Sequence, residues 1–71
     1  MSEYAIIIDD AGSNFCSYVP DLPGCIGAAD TIEEIEELMR KAIEFHIEGM
    51  RLHGEEVPPP STRASMVQVA S

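Results

Sequence analysis

An α+β domain in the order β-β-β-α-β follows from three features of this 71-residue chain. Two short runs of β-branched and aromatic residues flank an acidic turn. A proline- and glycine-rich loop then leads into a short third run. A long amphipathic segment opens with a helix-capping pattern, and a last β-compatible stretch ends the order. No repeat and no linker interrupts this pattern, so residues 1–71 read as a single domain. The expected architecture is a small, antiparallel-rich sheet with one long helix on one face.

The elements can be justified in turn. Tyr4–Ile8 is apolar and rich in isoleucine, and Asp9-Asp10-Ala11-Gly12-Ser13 supplies turn chemistry. Asn14–Val19 resumes the strand pattern, which makes a hairpin with a loop of about five residues. Pro20-Asp21-Leu22-Pro23-Gly24 breaks the pairing, because neither proline can donate to a ladder and Gly24 tolerates a positive φ. Cys25–Ala28 is a short third strand. Asp30-Thr31 opens the helix, with Thr31 at the N-cap and Glu34 at N3. The helix is expected to run to about His53 and stop at Gly54, ahead of Pro58-Pro59-Pro60. Met66–Val69 is expected as the closing strand.

At 100° per residue, Ile32, Ile35, Met39, Ala42, Ile43, His46 and Met50 form one stripe, expected against the sheet. Glu36→Arg40 and Glu37→Lys41 read as i,i+4 pairs on the polar side. The apolar arc is wider than one buried face requires. Leu38, Phe45, Gly49 and Leu52 extend it to roughly half the circumference, and Gly49 leaves room for another backbone. The first strand is also apolar on both faces, with Ile7 opposing Ile6 and Ile8. One helix covers only one side of a sheet, so a second surface is left for self-association or a partner. Leu38, Phe45, Gly49 and Leu52 are the self-association candidates.

Charge narrows the classes of function. The chain carries 13 acidic and four basic side chains, for a net charge of −9. Four cations cannot neutralise a run of phosphates, which argues against direct nucleic-acid binding. An apolar content of 45% excludes an acidic disordered tail. A small acidic domain suits a basic partner. The opening apolar run is too short for a signal peptide or a membrane span, so a cytoplasmic protein with no membrane role is expected. In that compartment Cys16 and Cys25 read as free thiols.

Catalytic chemistry has little support. Cys16, Cys25, His46 and His53 match no zinc-ligand spacing. His46 on the apolar stripe reads as a core or interface histidine, and His53 suits the negative end of the helix dipole. Asp9 and Asp10 adjoin each other in a turn, and most other acids lie on the polar helix face. They do not converge as a two-metal nuclease requires. No phosphate-binding, nucleophile-elbow or metalloprotease motif is present. The expectation is a non-enzymatic protein with no cofactor and no metal.

Several of these segments together resemble the HicB-like antitoxins of type II toxin–antitoxin pairs. They are Tyr4–Ile8 with its acidic turn, Tyr18-Val19-Pro20-Asp21-Leu22-Pro23-Gly24-Cys25, Asp30-Thr31-Ile32-Glu33-Glu34, Ala42-Ile43-Glu44, and Gly54-Glu55-Glu56-Val57-Pro58-Pro59-Pro60-Ser61. The resemblance runs from Tyr4 to about Ser61. It implies a partly degraded ribonuclease H-like fold without the nuclease's acidic centre. It also implies a small basic HicA-like partner, a toxin that cleaves messenger RNA and is blocked when its surface is covered.

Two departures from the family stand out. Only Thr62–Ser71 follows the proline run, so a short form without the promoter-binding extension is expected. Ile35 stands where the family's helix commonly has alanine. On this basis Asp9, Asp10 and Asp21 are the toxin-contact candidates. The loop Pro20, Asp21, Leu22, Pro23, Gly24, Cys25 is a signature whose role is either a rigid turn or a contact. An orphan homo-oligomeric scaffold with no toxin is the alternative function, and a homodimer or larger homo-oligomer is expected under either reading.

Overall fold

A computed structural model describes residues 2–71. The described order is β1 (Ile7–Asp10), β2 (Phe15–Tyr18), β3 (Ile26–Ala29) and α1 (Ile32–Leu52). This is the expected α+β architecture up to the helix. The strands form one antiparallel sheet in the order β1-β2-β3, and α1 lies across β3 and β2.

The register fixes the two faces of the sheet. Ile8, Ser17 and Gly27 stand opposite one another, as do Asp10, Phe15 and Ala29, and both rows share the helix side. Ile7, Tyr18 and Ile26 form a row on the other side, next to Asp9, Cys16 and Ala28. The core is small. Val19, Leu22, Cys25, Ile35 and Met39 are buried, and Tyr4, Ile6, Ile8, Phe15, Ala42, Ile43, Ile47 and Met50 pack around them.

β1 begins later than the sequence pattern suggests. Continuing the register would set Ile6 against Val19 and Ala5 against Pro20. Val19 directs its N–H to the Cys25 carbonyl on the far side (3.2 Å), so the next bond toward β1 would fall to Pro20, which has no N–H. The first half of the apolar run therefore packs without a ladder. Asp9 and Asp10, expected in the turn, instead finish β1. The Asp10 carboxylate accepts from the Gly12 N–H at 2.9 Å, and the Ala11 N–H donates to the Asn14 carbonyl at 2.8 Å.

The Pro20–Cys25 loop is two consecutive β-turns. The Leu22 N–H donates to the Val19 carbonyl, and the Cys25 N–H to the Leu22 carbonyl, both at 3.1 Å. Each turn has proline at its second position, and Gly24 takes φ 87° at the third position of the second turn. That is type II geometry, which disfavours any residue with a Cβ. The double turn folds Leu22 back into the core, where it is fully buried.

The helix begins and ends as its sequence predicts. Thr31 Oγ1 accepts from the Glu34 N–H (3.1 Å) and donates to the Glu34 carboxylate (3.0 Å). At the other end the Glu55 N–H donates to the Met50 carbonyl and the Gly54 N–H to the Arg51 carbonyl, with Gly54 at φ 70°. These bonds make a Schellman cap. On the sheet side, Ile35 and Met39 are fully buried, and Ile35 fills space that an alanine would leave open. Ile32, expected in the same stripe, is exposed because it lies in the first turn, at the margin of the sheet.

Two further expectations are corrected. Arg40 pairs with Glu37 through two nitrogens and with Glu44 at 3.3 Å rather than with Glu36, since the guanidinium fork fits one carboxylate bidentately. Met66–Val69, expected as the closing strand, forms no strand and lies exposed beyond Thr62. The residues before it, Ser61 and Thr62, are hydrogen-bonded to Asp21 in the Pro20–Cys25 loop.

Candidate functional site

Three surfaces carry the polar and apolar groups that the core does not use. The first is the open face of the sheet. Antiparallel strands can face solvent on one side, and polar residues normally alternate outward there. Here the outward row is Ile7, Tyr18 and Ile26. Tyr18 is 44% exposed and Ile26 72%. Asp9 stands in the adjoining row beside Cys16 and Ala28, and Asp10 lies at the end of β1 on the helix side. Both aspartates are exposed. An apolar strip thus runs beside carboxylates that have no cation paired to them in the described structure.

Sequence patterning found Ile7 but missed Tyr18 and Ile26. Phe15-Cys16-Ser17-Tyr18 is apolar in both phases of the strand, so alternation alone could not say which side faces out. Cys16 and Cys25 lie on opposite faces, and both are free. Burial pushes the Cys25 thiol pKa up and keeps the group protonated, while Cys16 is exposed.

The second surface is the helix flank. Leu38 is 40% exposed, Phe45 80% and Leu52 79%, in one stripe that includes Gly49. Apart from its own turn of helix, nothing lies within 4 Å of where a Gly49 Cβ would stand. Leu38 borders a groove between β3 and the first half of α1, whose walls carry Asp30, Glu33, Glu34 and Glu37 against a single cation, Lys41.

The third surface is a clip. Both carboxylate oxygens of Asp21 are occupied within the chain. They accept from the Ser61 N–H (2.9 Å) and hydroxyl (3.1 Å) and from the Thr62 N–H (3.0 Å) and hydroxyl (2.7 Å). The Thr62 and Ser61 backbone donors, with help from the hydroxyls, lower the Asp21 pKa to about 2. The Tyr4 hydroxyl donates to the Pro58 carbonyl at 2.5 Å. Together these bonds hold the proline segment against both the N-terminal segment and the signature loop. Sequence reasoning named Asp21 but not its partners, which lie 40 and 41 positions away.

Among the described residues, no three His, Cys, Asp or Glu side chains are grouped to hold a metal ion. No helix there is long and apolar enough to cross a membrane. His53 donates from Nδ1 to the Gly49 carbonyl (2.7 Å), as a helix-end residue can. His46 is half-buried on the helix.

The fold and these surfaces define a small acidic α+β domain with large apolar residues exposed beside carboxylates. Residues 4–70 match the HicB-like antitoxin of bacterial toxin–antitoxin systems, and the chain belongs to that family. The chain is 44% identical over 55 residues to an uncharacterized 14.9 kDa protein from the rep-hol intergenic region of Haemophilus phage HP1 (strain HP1c1). That match covers 78% of this chain and 41% of the phage protein, so the chain spans about two fifths of its length. The fold is also similar to a chain of the HicA3 and HicB3 toxin–antitoxin complex, with TM-score 0.73 and 33% identity. That likeness covers 83% of this chain and 70% of the other.

Proposed function

We propose that this chain is an antitoxin that neutralises a small basic HicA-like toxin by covering the toxin's surface, with no catalysis of its own. The observation that carries the reading is the likeness to a chain of a HicA3–HicB3 complex, 33% identical at TM-score 0.73. The surfaces give it a physical basis. Asp9 and Asp10 steer a basic partner by long-range attraction, and burial of Tyr18 and Ile26 then supplies holding energy. In this reading Asp21 acts through the clip that positions residues 58–62, because its oxygens already have partners. The protein works in the cytoplasm, without cofactor or nucleic-acid contact, and copies associate along Leu38, Phe45, Gly49 and Leu52.

Co-expression tests the proposal. The adjacent reading frame for a small basic protein is expected to arrest growth alone, and this chain to restore growth and co-purify with it. Ile26→Lys with Tyr18→Lys is expected to abolish rescue while the helical circular dichroism signal persists. A neighbour that leaves the host unimpaired, or rescue that survives both substitutions, contradicts the proposal.

A further inference from the structure

The helix is longer than the sheet it covers. Its 21 residues span about 31 Å, whereas the four-residue strands span about 13 Å. Its buried residues, Ile35 and Met39, both lie in its first half. In the second half, Tyr4 and Ile6 lie beside Ile43 and Ile47 on one flank. The opposite flank stays open, with Phe45 and Leu52 largely exposed and only the helix's own turn near a Gly49 Cβ.

Side-chain size alternates along that flank in a way that fits a copy of itself. Leu38, Ala42, Phe45, Gly49 and Leu52 follow one another at alternating steps of four and three, which keeps them on one seam of a helix. Run antiparallel against itself, the seam sets Leu38 opposite Gly49 and Phe45 opposite Ala42, so each large side chain meets a small one. The same alignment brings Lys41 beside Glu48 at the margin of the seam. Lys41 is the single cation of the groove between β3 and α1, among Asp30, Glu33, Glu34 and Glu37. Its neighbour Glu37 stands 3.9 Å away and is engaged by Arg40, while Glu48 pairs with no cation among the described residues.

We infer that two copies pair through an antiparallel α1–α1 contact whose two-fold axis passes level with Ile43 and Glu44. The overhanging half of each helix then lies along the groove of the other copy. Phe45 of each copy packs on Ala42 of the other. Leu38 covers Gly49, where the missing Cβ lets the helices approach closely. Leu52 enters the groove beside Leu38, and Lys41 meets Glu48 twice, once on each side of the axis. A shift by one heptad, with Phe45 on Gly49, keeps the alternation of sizes but sets Glu48 near Glu48 of the other copy. Charge therefore selects the first register. The inference rests on the self-association reading above and not on any toxin.

Sedimentation of the full chain tests this. A dimer is expected, and Phe45→Ser, at an exposed site, should raise its dissociation constant about tenfold with the helical signal unchanged. Gly49→Leu puts a better helix former in place of glycine, so it should hold or raise the helical signal while weakening the dimer by a similar factor. Lys41→Glu and Glu48→Lys should each weaken the dimer severalfold. Together they should restore it, because the pair is remade with its signs exchanged. A monomeric full chain, or a dimer that Phe45→Ser leaves intact, overturns the inference together with stripe association, while the antitoxin reading stands. A dimer that Phe45→Ser weakens but the double charge exchange does not restore overturns the antiparallel register alone.

Discussion

Gly27 is where the helix meets the sheet, and adding one methyl group there tests that contact. Gly27 pairs with Ser17 in mid-sheet, beneath α1. A Cβ at this position would stand 2.9 Å from Met39 Sδ and 3.1 Å from Leu38 Cδ2. Leu38 is partly exposed and can swing outward, but Met39 is fully buried, so making room there moves a core side chain. Overpacking of this kind costs about 1–3 kcal/mol. Replacing a strand glycine returns about 0.5–1 kcal/mol of backbone entropy. On the central values Gly27→Ala should therefore lose about 1 kcal/mol, a sizeable share of the roughly 3–5 kcal/mol a core of this size supplies.

Urea unfolding followed by circular dichroism reads the change directly. With a slope of about 1 kcal/mol per molar urea, the midpoint should fall by roughly 1 M. Met39→Ala removes the obstructing sulfur, so combining it with Gly27→Ala should cost less than the two single losses added together. A Gly27→Ala protein as stable as the parent, or strictly additive losses, would refute the close helix–strand contact.

Three further outcomes follow from the packing and the clip. The buried Ser17 hydroxyl has no hydrogen-bond partner, so Ser17→Ala should be neutral or stabilising by about 1 kcal/mol in the same titration; a loss of that size would mean the hydroxyl is satisfied. Asp21 titrates at about 2 when folded against 3.8 ordinarily, so the clip is complete above about pH 3.8 and is lost as pH falls through 2. Amide exchange at Ser61 and Thr62 should accelerate over that window, and at neutral pH in Asp21→Asn, while α1 stays protected. A thiol reagent should modify Cys16 in the native protein and Cys25 only after unfolding, giving one reactive thiol per chain and then two; two at once would contradict the burial of Cys25.

Much of the local structure could be read from the sequence because it is set by neighbours. Thr31 and Glu34 cap a helix wherever they stand three apart, and Gly54 closes it because only that position needs a positive φ at the C-terminus. The spacing of Ile35 and Met39 is enough to mark the buried side of α1. The signature loop was recognisable from its prolines and Gly24, but whether it served as a turn or a contact was open. Its hydrogen bonds show a double turn that buries Leu22 and carries Asp21 to the tail.

What failed was non-local. Tyr4–Ile6 looks as strand-like as Ile7 and Ile8, yet Pro20, which has no N–H, leaves it no ladder. Met66–Val69 has strand composition, yet the clip holds the preceding residues at the β2–β3 loop. The amino-acid sequence by itself determined the acidic charge, the helix with both its ends, and the surplus of apolar surface, since each depends on composition or on residues within one or two turns. Only the tertiary structure decided which strand face stays open, that Gly27 rather than Gly49 meets another element within the chain, and that Asp21 binds Ser61 and Thr62. Each of those depends on register and on contacts between distant segments, which no local pattern encodes.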